Sequence, residues 1–251
     1  MKIAIMSALH EEINRIIKEI DIKNKVKIGK RTYYEGDFNG HDVVIVFSHW
    51  GKVAAASTAT TLIIKFNVDK IIFTGVAGGI SENLHIGDIV IGRNIYQHDM
   101  DSSPIFPKYE IPLLKSDHIK TAEKEITKAY QAAKNLINND FYKYFSAKDL
   151  EEFKIKEPKL IIGDIASGDE FVSDEKTRNR IIKDLPSVVC VEMEGAAVAQ
   201  VCNDFGIPFV IIRTISDSAN NDAPVDFLKF IDDIASVYSI AIIEKYFKSE
   251  K

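Results

Sequence analysis

The 251-residue sequence predicts an α/β fold, a single-domain three-layer sandwich with a twisted, mixed and mostly parallel sheet flanked by helices. Short apolar runs rich in Ile and Val alternate with helical patterns along almost the whole chain. Strands alternating with helices build sheets that are covered on both faces, and such buried strands read as near-continuous apolar runs. No internal repeat or flexible linker divides the chain, so one domain is expected over 1–251.

The elements follow in order. Ile3 to Ala8 reads as a buried strand, and Glu11 to Ile20 as the helix after it. Thr32 to Phe38 and Asp42 to Ser48 form a hairpin, with Asn39-Gly40 as its turn signal. Gly51 to Phe66 is helical, and its stretch Ala54-Ala55-Ala56-Ser57 lets a helix approach a sheet closely. Lys70 to Thr74 is a strand that ends in Gly75-Val76-Ala77-Gly78-Gly79. Gly87 to Tyr96 is another strand, and Ser116 to about Asn138 is a long charged helix. The charged stretch from Asn139 to Pro158 is expected as a surface excursion. Then come a strand at Leu160 to Ala166, a helix at Asp174 to Lys183 and a strand at Val188 to Val191. A helix at Gly195 to Phe205 and a strand at Phe209 to Ile215 complete the alternation. In the last helix, Asp226 to Phe247, Phe227, Phe230, Ile231, Ile234, Tyr238 and Ile242 make one apolar stripe.

Bulk properties exclude several classes. A net charge of −5 with dispersed Lys and Arg leaves no basic footprint for nucleic acid. No apolar run approaches the roughly 20 residues of a membrane helix. The apolar N-terminal run stops at His10-Glu11-Glu12 without a small-residue cleavage site, which argues against a secretory signal. Cys190 and Cys202 both lie in apolar stretches and read as reduced core thiols. A cytoplasmic protein is the expectation.

Ligands of α/β sheets gather at the carboxyl ends of strands. Here those positions carry Glu11-Glu12, Gly75 to Gly79, Glu192-Met193-Glu194 and Ser216-Asp217. Several acidic groups on one rim repel each other, so convergence at a functional site explains them better than stability does. The glycine-rich segment matches neither the dinucleotide spacing nor a P-loop. A tight turn and close backbone approach by a flat ligand account for it equally well. Glu194 begins a helix, where it serves either as a dipole-stabilising charge or as a double acceptor for sugar hydroxyls. Arg213, inside an apolar run, calls for a carboxylate partner among the nearby glutamates. Asp217 has a bland alternative as a turn or N-cap residue, and Glu12 as a first-turn glutamate.

Six segments taken together resemble the 5′-methylthioadenosine/S-adenosylhomocysteine nucleosidases, within the nucleoside phosphorylase/nucleosidase superfamily. They are Ala8-Leu9-His10-Glu11-Glu12, Gly51 to Ala56, Thr74 to Gly79, Ser167-Gly168-Asp169-Glu170-Phe171, Val191 to Glu194 and Arg213 to Asp217, in that order. The resemblance spans the chain except Asn139 to Pro158 and implies a phosphorylase/hydrolase-like fold, no cofactor, no metal and a homodimer. It implies that Glu12 activates water, that Asp217 protonates adenine N7 and that Glu194 binds the ribose hydroxyls. It places Phe171 and Val172 on the base, Met193 on the ribose and Phe227 over the 5′ substituent. Leu9, Trp50, Val76, Ala77, Gly78, Ser216, Glu192 and Arg213 complete the expected binding set, with Ser167 and Asp169 supporting it. Ile105 and Phe106 are expected to reach the neighbouring subunit's site. The chemistry is coherent: cleavage of the bond builds an oxocarbenium-like sugar that carboxylates stabilise, and the leaving purine needs a proton.

Three departures stand out. Val76 replaces a frequent Ser, Trp50 replaces a smaller aliphatic residue, and Ser102-Ser103-Pro104-Ile105-Phe106-Pro107 replaces the usual loop. Among rival functions, a phosphorylase would want cationic or backbone donors for phosphate where Glu12 sits. A metal hydrolase lacks the ligand spacing. A non-catalytic nucleoside sensor or adhesin has no use for both a water base and a purine acid. The substrate range left open covers methylthioadenosine, S-adenosylhomocysteine, 5′-deoxyadenosine and aminodeoxyfutalosine.

Overall fold

Strand β1, Lys2–Ser7, is buried along five of its six positions, so it must be covered on both faces. It pairs in parallel with β4, His41–Phe47, on one side and with β5, Lys70–Gly79, on the other. The computed structural model describes residues 1–112 and 114–248, apart from the side chains at 232 and 233. Positions 249–251 of the predicted domain therefore lie outside the described residues.

Outward from β1, the sheet continues through β4 and β3, Arg31–Phe38, to β2, Asp21–Ile28, as an antiparallel meander. β2 has no counterpart in the elements expected from sequence. Not one of its residues is buried, and Asp21, Lys23, Lys25 and Lys27 give it the charged character of an edge strand. Its apolar signal, Ile22, Val26 and Ile28, is too sparse to stand out.

In the other direction the predicted open sandwich is corrected. β5 pairs with β10, Phe209–Asp217, and β10 with β6, Ile89–Gln97. β6 pairs with β8, Leu160–Ser167, β8 with β9, Val188–Glu192, and β9 returns to β5 through Gly78 and Gly79. These five strands close into a barrel-like ring, and the β1 to β4 meander extends from its β5 seam. Register shifts in β10, β6 and β8 supply the bends that closure requires. The sheet is mixed in equal measure, with five parallel and five antiparallel pairings among the described residues, and not mostly parallel.

Helices cover both faces. Helix α1, His10–Glu19, packs with α9, Ser236–Lys248, while α2, Lys52–Phe66, packs with α7, Gly195–Phe205. The charged helix expected from Ser116 begins later, as α3, Glu123–Asn135. Before it, His118–Lys120 forms β7 on the edge of β6, with Ile119 buried. The acidic first turn of α3 marks its true start. A π-helical turn, Leu136–Asp140, then leads into two short helices, α4, Phe141–Tyr144, and α5, Ala147–Glu152. This stretch is more than a surface excursion, because Phe141, Phe145, Leu150 and Ile155 are buried in the larger core cluster. Helix α6, Glu175–Asp184, starts at an Asp174 cap whose side chain accepts from the Thr177 N–H. The C-terminal helical region opens earlier than expected, as α8, Ala223–Phe230, and a π-helical turn, Ile231–Ala235, joins it to α9. None of the described helices is long and apolar enough to cross a membrane. Cys190 and Cys202 are buried and unpaired.

Candidate active site

The carboxyl ends of β1, β5, β9 and β10 open into one cleft. Fourteen of the predicted site residues line it: Leu9, Glu12, Trp50, Val76, Ala77, Gly78, Phe171, Val172, Glu192, Met193, Glu194, Ser216, Asp217 and Phe227. Ala8, Glu170 and Val191 line it too. They neighbour predicted residues in the quoted segments, so spacing along the strand ends could have found them.

The glycine-rich segment is not the tight turn that was one expectation for it. β5 runs straight through it, and Gly75, Gly78 and Gly79 are not in the left-handed region. What glycine supplies is room. A Cβ on Gly75 would lie 2.7 Å from Glu12 Oε1, and one on Gly78 would lie 2.8 Å from Asp217 Oδ1. Two buried carboxylates can therefore press against the strand from opposite neighbours.

Glu12 sits in the first turn of α1 and is 2 % exposed. Its Oε2 accepts from the Ser7 hydroxyl and from the backbone N–H groups of Ala8 (3.1 Å) and Leu9 (2.9 Å). Its Oε1 accepts from the Val76 N–H at 3.0 Å. Burial pushes its pKa above the ordinary carboxylate value, while the Ser7 hydroxyl, the Arg213 charge and the backbone donors pull it back.

Asp217 ends β10 and is 2 % exposed. The Ala219 N–H donates to Oδ1 at 2.9 Å and the Ser216 hydroxyl to Oδ2 at 2.8 Å. Burial raises its pKa, and the nearby Asp226 charge raises it further. A turn residue and a cleft carboxylate are thus the same residue.

Glu192 and Glu194 divide the two roles that the sequence offered for Glu194. Glu192 is the helix-capping acid: it accepts from the backbone N–H groups of Glu194 and Gly195 and from the Ser167 hydroxyl. Arg213 Nη2 donates to it at 2.6 Å, the ion pair expected of a buried arginine. Arg213 also donates to the Phe73 and Ile212 carbonyls and lies 4.1 Å from the centroid of the Phe73 ring. Arg213 does not line the cleft, because its donors point into the protein. With the cap occupied, Glu194 is left to face the cleft, held by the Gly51 N–H at 2.7 Å. Its pKa is pushed up by burial first and then by the Glu192 charge. Ser167 and Asp169 are supports: Ser167 Oγ accepts from the Ala196 N–H, and Asp169 accepts from the Lys52 N–H at 2.7 Å.

The mouth is aromatic. Phe227 stands edge-on to Phe171, with centroids 5.3 Å apart, and to Trp50, at 5.8 Å. Ile105 is 82 % exposed, and neither it nor Phe106 is in the cleft lining of this chain. Among the described residues lining the cleft, five are Asp or Glu and none is Lys, Arg or His. No group of three His, Cys, Asp or Glu among the described residues is arranged to hold a metal.

A ring of strands with buried acids and an aromatic mouth at one end is the architecture of a class of α/β enzymes, and comparisons with known proteins say which. The sequence model of the phosphorylase superfamily matches residues 2–248. The 5′-methylthioadenosine/S-adenosylhomocysteine nucleosidase of Shewanella sp. (strain W3-18-1) is 37% identical over 231 residues, covering 92% of each chain. The structure of the corresponding Colwellia psychrerythraea nucleosidase in complex with adenine superimposes with a TM-score of 0.86 at 30% identity, covering 99% of this chain and 95% of that one. Futalosine hydrolase of Helicobacter pylori matches with a TM-score of 0.83 at 29% identity, covering 99% and 98%. The chain belongs to the phosphorylase superfamily and, within it, to the 5′-methylthioadenosine/S-adenosylhomocysteine nucleosidase family.

Proposed function

We propose that this protein hydrolyses the N-glycosidic bond of 5′-methylthioadenosine and S-adenosylhomocysteine, releasing adenine and the 5′-thioribose. The observation that carries the proposal is that Glu12 and Asp217 share a cleft whose described lining residues include five acids and no Lys, Arg or His. A phosphate nucleophile would meet like charge there, whereas water would not. Arg213, the buried cation behind the site, is committed to Glu192.

The environments of the two carboxylates separate their roles. Glu12 has four donors and feels the Arg213 charge, both of which favour its ionised form. Asp217 has two donors and feels the Asp226 charge, which favours a retained proton. Burial raises both, and these neighbours favour Glu12 as the base and Asp217 as the acid. Glu12 accepts a proton from water as its oxygen bonds to C1′. The C1′–N9 bond breaks and its electron pair goes to the purine, which takes the Asp217 proton at N7. Glu194 accepts hydrogen bonds from the ribose hydroxyls, and the sugar's positive character is stabilised by the surrounding carboxylates. Phe171 stacks on the base and Phe227 closes the slot. Transfer of the proton from Glu12 to Asp217 through solvent resets the site.

We also read the functional unit as a homodimer in which Ile105 and Phe106 complete the partner's cleft; the exposure of Ile105 supports this. The test is adenine release from methylthioadenosine in phosphate-free buffer. Strict dependence on added phosphate would refute hydrolysis. Parallel assays with 5′-deoxyadenosine and aminodeoxyfutalosine define the range, the latter because a futalosine hydrolase shares the fold.

A further inference from the structure

The lining acids pose a problem for a substrate with a charged tail. S-adenosylhomocysteine carries a carboxylate at its 5′ end, and none of the described residues lining the cleft offers it a cation. Any protein partner for that carboxylate lies beyond the mouth.

Two loops meet there. Ser7 and Phe47 pair in register at the ends of β1 and β4, and the Ser48 N–H donates to the Ser7 carbonyl at 2.7 Å. The chain then enters the cleft wall at Leu9 from one loop and at Trp50 from the other. The residues beside these two are His10 and His49, both exposed. Both imidazoles stand edge-on to the same Phe47 ring, with centroid distances of 5.5 Å for His10 and 5.2 Å for His49. Neither side chain makes a hydrogen bond or ion pair with another described residue. Other cations close by are already engaged. Lys52 bonds to Asp99 and Gln97, and Arg31 bonds to the Ser48 and Ala54 carbonyls.

We propose that His10 and His49 form an imidazole clamp for a carboxylate on the 5′ substituent, so that they set the preference for charged-tail over neutral-tail nucleosides. Each imidazole can donate an N–H to a carboxylate oxygen whether or not it is protonated. Glu194 fixes the direction of approach: it is bonded to Gly51, next to Trp50, so the ribose it grips lies beside this loop. The inference rests on the proposed nucleosidase activity and extends it to substrate choice.

The experiment compares wild type, His10→Ala, His49→Ala and the double variant on three substrates. These are methylthioadenosine, S-adenosylhomocysteine and its 5′-aminopropylthio analogue lacking the carboxylate. The double variant is expected to lose about tenfold in kcat/KM for S-adenosylhomocysteine, the sum of two exposed hydrogen bonds. The other two substrates should change less than twofold. Equal kcat/KM losses on all three substrates, or none on any, would overturn the clamp. A wild-type protein that cleaves none of the three would instead refute the nucleosidase activity itself.

Discussion

Alanine at Gly75 should disable the water-activating carboxylate without unfolding the protein. Gly75 lies inside β5 and its backbone is open to any L-residue, so the substitution imposes no backbone strain. The new Cβ would stand 2.7 Å from Glu12 Oε1, whereas ordinary contact begins at 3.4 Å, so the carboxylate must retreat by about 0.7 Å. Its Oε2 is already anchored by Ser7, Ala8 and Leu9. The retreat therefore rotates Oε1 away from the Val76 N–H and from the attacking water. Misplacement on the order of 1 Å costs about 100-fold in rate, so a fall in kcat of about 30- to 100-fold is expected, with KM within a few-fold. Gly78→Ala strikes the acid instead, with its Cβ 2.8 Å from Asp217 Oδ1. Gly79→Ala is the control: its Cβ meets Ile215 Cγ2 at 3.2 Å and no carboxylate. The assay is steady-state adenine release, with thermal unfolding as the check on folding. A folded Gly75→Ala protein with wild-type kcat would refute the claim that these glycines exist to seat the carboxylates.

Other consequences are open to measurement. Glu12→Gln and Asp217→Asn should each abolish adenine release, and calorimetry should find ligand binding largely kept in the Glu12 variant. Turnover should follow a bell-shaped pH profile, its acid limb from protonation of Glu12 and its alkaline limb from loss of the Asp217 proton, since both pKa values are raised by burial. Arg213→Met strands Glu192 as an uncompensated buried charge and should destabilise the fold by about 3–5 kcal/mol in denaturant titration. Trp50→Ile removes the outer edge of the aromatic mouth, and should change the methylthioadenosine to S-adenosylhomocysteine kcat/KM ratio more than it changes kcat for either.

The alternating strands and helices were legible because buried parallel strands and amphipathic helices leave strong periodic signals. What escaped depended on partners distant in the chain. β2 is an exposed, charged edge whose pairing with β3 is visible only once both are placed. Closure of the ring depends on β9 meeting β5 at Gly78 and Gly79, a contact that no local pattern announces. The buried anchors Phe141 and Leu150 sit in a stretch whose many charges hide its apolar spacing. In the site, residue identity was easier to read than residue duty. Glu192, Glu194 and Arg213 are adjacent to the cleft in sequence terms, yet the hydrogen bonds alone decide that Glu192 and Arg213 neutralise each other. Ala8 was passed over because its side chain suggests no distinct chemistry, and Glu170 because its neighbour Phe171 drew the reading of that segment.

The same burial that tunes the carboxylates weighs against the fold. Glu12, Glu194 and Asp217 all have raised pKa values, so the folded state holds protons more tightly than the unfolded chain. For such groups the penalty is absent below the unfolded value and grows as pH rises toward the folded one. Each unit of separation is worth about 1.4 kcal/mol. Stability should therefore fall from about pH 4.5 upward through neutrality, to the extent that these groups dominate. Glu194→Gln tests this, because the amide oxygen can still accept from the Gly51 N–H while the charge is gone. The variant should melt several degrees higher than wild type at pH 7.5 and by a smaller margin at pH 5, although its KM for nucleoside rises. A variant that melts lower at pH 7.5 would mean that Glu194 is held in place for stability. The opposite result identifies a carboxylate kept at a cost in stability for the sugar it binds.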